Sequence, residues 1–77
     1  MIVRIPYHRN NTSAPPMKGA ISISQILKEQ YNLVHELDYT WYFEPTKKNL
    51  VISLNDTHAS LSTMISMRFI GVDLYEI

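Results

Sequence analysis

Apolar and polar positions alternate at two different periods along this chain, and the switches between them mark six segments. Residues 2 to 7, IVRIPY, are short, β-branched and alternating. Val3, Ile5 and Tyr7 fall on one side and Arg4 on the other, which predicts a strand. Pro6 has no amide hydrogen, so that strand should lie at an edge, or end, near that residue. From residue 23 the period lengthens. Ile23, Ile26, Leu27, Tyr31 and Val34 form a helical stripe, with Ser22 and Gln25 placed as a capping box. A helix over 23–34 is expected, and Leu37 leaves its far end open. Residues 39 to 44, YTWYFE, return to strand character, and so do residues 50 to 54, LVISL. Pro45 and the turn formers through Asn49 join these two as a hairpin.

A second helix is expected over 58–68, capped by Asp56 or Thr57, with Leu61, Met64 and Ile65 on its stripe. Its serines and Thr63 give it weak intrinsic propensity, so packing must hold it. Residues 72 to 76, VDLYE, alternate again after Gly71 and predict a closing strand. The longest aperiodic stretch is 9–20, RNNTSAPPMKGA. Its Asn, Ser, Pro and Gly residues predict a long, flexible, basic and polar loop.

The resulting order is β-α-β-β-α-β. An α+β domain follows, with a four-stranded antiparallel sheet and both helices on one face, as in the ferredoxin-like arrangement. The chain has 77 residues, which make a single domain spanning 1–77. So small a domain has little core to give up to an enclosed substrate pocket.

Composition narrows the chemistry. There is no cysteine, which removes disulfides, thiolate chemistry and Cys-ligated metals. Residues 1 to 6, MIVRIP, carry a charge at Arg4 and no long apolar run, unlike a signal peptide. No stretch approaches the length of a membrane span. A soluble, cytoplasmic protein is expected, in keeping with an accessory protein of a microbe or of a virus inside its host. Two glycines cannot build a phosphate-binding loop, and no metalloprotease, hydrolase or calcium-loop pattern occurs. His8, His35 and His58 have no spacing that joins them, though Asp56 and His58 are close enough in sequence to share a hydrogen bond. No cofactor, metal or catalytic residue is expected, and the protein is read as non-enzymatic.

Net charge is zero but unevenly placed. Arg4, Arg9, Lys18 and Lys28 precede every acid in the chain. A local field of this kind can steer a partner when the total charge cannot. Alternation puts Tyr39, Trp41 and Phe43 under the helices, with Trp41 in the core. Arg4, Tyr42, Val51, Ser53, Asp73, Tyr75 and Ile77 then share the open sheet face. Tyrosine and arginine are enriched in binding hot spots. The expected function is protein binding by a small regulatory module, through self-association or a partner protein. Arg4, Arg9, Lys18, Tyr42, Val51 and Tyr75 are the expected contact residues. The alternative is single-stranded nucleic acid, with bases stacked on the open sheet and phosphates on the basic N-terminal region. Seven acids and the lack of an aromatic–glycine RNA motif weigh against it.

Overall fold

The computed structural model describes residues 1–7 and 14–77. Strand β1 (Ile2–Pro6) is followed by helix α1 (Met17–Tyr31), strand β2 (Tyr39–Glu44) and strand β3 (Asn49–Leu54). A 3-10 turn over Asp56–Leu61 then leads directly into helix α2 (Ser62–Phe69). The sheet is antiparallel, with β3 at its centre and β1 and β2 as edges. The protein is therefore α+β, with three strands among the described residues.

The expected alternation holds in all three strands. Val3, Ile5, Leu50, Ile52, Leu54 and Tyr39 are buried on one face and pack with Ala20, Ile23 and Leu27 of α1 and Ile65 and Phe69 of α2. Both helices thus cover the same side. Trp41 lies on that side as expected, opposite Ile52. It is only partly buried, however, because β2 is an edge strand and the indole sits at the margin of the core. Its ring meets Phe43 edge-on, with centroids 5.5 Å apart.

Helix α1 begins six residues ahead of the expected position, at Met17 rather than Ile23. Pro15 and Pro16 read as loop residues, yet a proline ring with its fixed φ also suits the entry to a helix. The Ala20 amide donates to the Pro16 carbonyl at 3.1 Å. Ala20 extends the Ile23–Leu27 stripe backwards by one turn and is buried. Residues 17–20 are therefore helix rather than loop, while Arg9 and residues 10–13 of the expected flexible loop lie outside the described residues. At its other end α1 stops where Asn32 adopts φ 58°, a left-handed conformation that asparagine tolerates. Beyond that point Leu33 is buried and Val34 and Leu37 are exposed, so the stripe does not continue. The second helix is also shorter than expected: only Ser62–Phe69 is α-helical, and the preceding Asp56–Leu61 segment is wound more tightly as a 3-10 turn.

The expected fourth strand does not form. Gly71, at φ 74°, redirects the chain, and residues 72 to 76 fold as consecutive turns. The Asp73 carboxylate accepts the Tyr75 amide at 2.9 Å, and the Asp73 carbonyl accepts the Glu76 amide at 3.0 Å. An aspartate that captures the amide two residues on offers the backbone an alternative to a sheet ladder. Alternation in VDLYE is real, but it serves a different purpose: Leu74 is buried against the start of α1. A β-carbon placed on Gly19 would collide with the Leu74 carbonyl. Glycine is what lets this segment lie on the helix.

Candidate functional site: the uncovered sheet face

With both helices on one side, no second layer covers the opposite face of the sheet among the described residues. Strand register places Arg4, Val51 and Tyr42 in one row across it, and Pro6, Asn49 and Glu44 in the next. Side chains in such a row lean against each other. Arg4 also reaches diagonally over the central strand. Its Nε lies 3.4 Å from Glu44 Oε1, and Asn49 Nδ2 donates to the same oxygen at 3.4 Å. The ion pair is partly solvated, so its contribution to stability is at most about 1 kcal/mol. Its larger effect is to hold a long cationic side chain flat across the sheet.

That arrangement explains Val51. It occupies the open face, as alternation predicts, yet it is 0% exposed. The Arg4 stem on one side and the Tyr42 ring on the other enclose a short β-branched residue on the central strand. Val51 therefore supports the face from beneath and offers no surface of its own. Tyr42 does offer surface, at 48% exposure, with Thr40 beside it and Ile2 across the sheet.

The other expected contact residues lie elsewhere. Without a fourth strand Tyr75 is not on the sheet. Its ring packs edge-on against Tyr7 at 6.2 Å, and its hydroxyl donates to the Ala14 carbonyl at 2.7 Å. Asp73 and Ile77 leave the open face with it. Lys18 is exposed in the first turn of α1, and Arg9 is outside the described residues. The uneven charge of the sequence thus does not produce a basic sheet face. Among the described residues the one cation on that face, Arg4, is matched by Glu44.

The structure brings together one pair that sequence spacing did not indicate. His58 Nε2 lies 2.9 Å from Asp38 Oδ1, while Asp38 Oδ2 accepts the Val34 amide at 2.7 Å. His58 therefore pairs with Asp38, twenty residues away, and not with Asp56. The backbone hydrogen bond from Val34, with the His58 bond second, holds the Asp38 carboxyl below its ordinary pKa. Asn55 adds two more links, donating its side-chain amide to the Leu37 carbonyl at 2.8 Å and its backbone amide to the Asp38 carbonyl at 3.0 Å. These bonds tie the 34–38 turn to the start of the 3-10 segment. Asp38 and His58 act here as a structural clasp.

A shallow groove of about 300 Å³ lies between α1 and this turn, with Tyr39 at its base and Ser24, Lys28 and His35 on its rim. The Tyr39 hydroxyl is buried with no well-formed hydrogen bond. Burial raises its pKa, and the nearby Ser24 side chain partly opposes that rise. The hydroxyl is sealed from the groove's open space, so the groove presents mostly apolar wall. Among the described residues no group of three or more His, Asp or Glu side chains is placed to hold a metal ion. No helix there is long and apolar enough to cross a membrane.

Comparison with known proteins finds no matching family model, no similar curated protein and no matching solved structure.

Proposed function

We propose that this protein is a small, non-catalytic binding module that docks a partner protein, in an accessory or regulatory capacity, on the uncovered face of its sheet. The observation that carries this reading is the row Arg4–Val51–Tyr42. A half-exposed tyrosine and a flattened arginine flank a fully packed valine, which makes a firm surface with both apolar and hydrogen-bonding area. Such residues are ordered before a partner arrives, so little side-chain entropy is lost on docking. Tyrosine and arginine are also the types that carry most binding energy when they become desolvated. Pairing of Arg4 with Glu44 weakens the alternative of single-stranded nucleic acid, because a phosphate would have to compete with a carboxylate already in place.

The test is affinity capture from the native cell with the parent protein and with the double variant Arg4→Ser, Tyr42→Ser. Proteins that dock on this face are expected to be lost from the double variant and retained by Lys18→Ser, whose side chain lies on α1. Equal capture by all three would reject the face. Labelled single-stranded RNA and DNA, titrated across a salt series, test the alternative, and salt-dependent binding that needs Arg4 would favour nucleic acid instead.

A further inference from the structure

The two edges of the sheet are protected unequally. Met1 and Leu54 exchange both backbone hydrogen bonds, and the Tyr7 amide donates to the Lys48 carbonyl at 2.8 Å. Odd-numbered residues of β1 therefore face β3, and Ile2, Arg4 and Pro6 face outward. Pro6 has no donor and Arg4 adds a charge, both of which discourage a further strand. On the other side, the Asn55 amide bonds the Asp38 carbonyl, so the even-numbered residues of β2 pair with β3. Tyr39, Trp41 and Phe43 turn their backbone groups outward. The Tyr39 carbonyl is already taken by the Glu36 amide at 2.7 Å. The amides and carbonyls of Trp41 and Phe43 meet no partner among the described residues. Between Tyr39 and Phe43 this edge has no charge, proline or glycine to deter pairing. Trp41 and Phe43 are partly exposed on the helix side and Tyr42 is exposed on the open side.

We propose that the β2 edge is a self-association surface, on which a second copy of this chain adds its own β2 in antiparallel fashion. Register arithmetic selects both the occupant and the alignment. If Trp41 of one copy pairs with Phe43 of the other, the two-fold axis passes through Tyr42, and about four backbone hydrogen bonds form from groups that have no partner among the described residues. Sliding so that Trp41 meets Trp41 would require the Tyr39 carbonyl that Glu36 holds. Sliding the other way would set Trp41 against Pro45, which cannot donate. The selected register brings the two Tyr42 rings face to face on the open side and pairs Trp41 with Phe43 on the helix side. Aromatic cross-strand pairs of this kind stabilise a ladder. The three strands of each copy would then form one continuous six-stranded sheet. The open-face reading is separate, because the edge works through backbone groups of Trp41 and Phe43.

Because the chain has no cysteine, single cysteines report the register cleanly. In the proposed dimer, position 42 meets itself in a non-hydrogen-bonded pair, where Cα atoms are about 4.5 Å apart and within disulfide reach. Position 40 shares the same face and is likewise exposed, but its two copies would be offset by roughly 14 Å along the strands at about 3.4 Å per residue. Mild oxidation of Tyr42→Cys is expected to give a covalent dimer at least tenfold faster than oxidation of Thr40→Cys. A second measurement uses Tyr42→Lys and Tyr42→Glu. Each alone is expected to be monomeric by sedimentation, and an equimolar mixture is expected to recover the dimer. A parent protein that sediments as a monomer at high concentration would overturn the proposal. So would equal cross-linking at positions 40 and 42, or failure of the Lys and Glu variants to recover association when mixed.

Discussion

Replacing Gly19 by alanine has an effect whose sign depends on the C-terminal segment. In an ordinary helix, glycine to alanine is favourable by up to about 1 kcal/mol. Here the added β-carbon would strike the Leu74 carbonyl, which is backbone and has no rotamer by which to move aside. Relief requires residues 72 to 76 to lift from α1. Leu74 is 1% exposed in the parent, and uncovering a leucine costs about 1.5–3 kcal/mol. The hydrogen bond from the Tyr75 hydroxyl to the Ala14 carbonyl would also be lost, at about 1 kcal/mol. Set against the helix gain, the net expectation is a loss of roughly 1.5–3 kcal/mol. Urea unfolding followed by Trp41 fluorescence measures it, with Lys18→Ala in the same turn as a control near zero. A stabilised Gly19→Ala protein would refute the reasoning, because it would mean that the C-terminal segment does not rest on α1.

Two further outcomes follow from packing and charge. Ile52→Ala, at a fully buried central position, should cost about 3–4 kcal/mol, whereas Trp41→Ala, at the margin of the core, should cost about 2 kcal/mol despite removing the larger side chain; equal or reversed losses in urea would show that the indole is a core residue. Asp38 has a folded pKa below its unfolded value of about 3.9, so its stabilising effect is fully present above that value and is lost as pH falls through the folded pKa. Thermal midpoints of the parent should therefore fall more steeply below about pH 4 than those of Asp38→Asn, and parallel pH profiles would contradict the clasp.

Periodicity made most of the framework legible. Three strands, their facing and the apolar stripes of both helices follow from where Val3, Ile5, Leu50, Ile52, Ile23, Leu27 and Ile65 recur. The start of α1 was hidden because Pro15, Pro16 and Gly19 are loop formers by composition. Their helical roles depend on position and on Leu74, more than fifty residues away. The C-terminal turns were hidden because VDLYE satisfies a strand pattern, and what decides otherwise is Gly71 at positive φ together with the Asp73 carboxylate that captures the Tyr75 amide. Of the candidate site, Arg4 and Tyr42 were legible from alternation. The enclosure of Val51 depends on how its neighbours lie, which no spacing encodes. Tyr75 was misplaced with the strand that carried it. The Asp38–His58 pair joins two loops whose proximity is purely tertiary.

Amide hydrogen exchange, read residue by residue by NMR over a concentration series, tests most directly the three-stranded order β1-β3-β2 of the described residues and the proposed pairing of the β2 edge. In dilute protein, Val3, Ile5, Thr40 and Tyr42 should exchange slowly, while Arg4, Trp41 and Phe43 exchange fast. As concentration rises, Trp41 and Phe43 should become protected and Arg4 should not. Slow exchange at Arg4, accompanied by protection along residues 72 to 76, would contradict the account, because it would place a fourth strand beside β1.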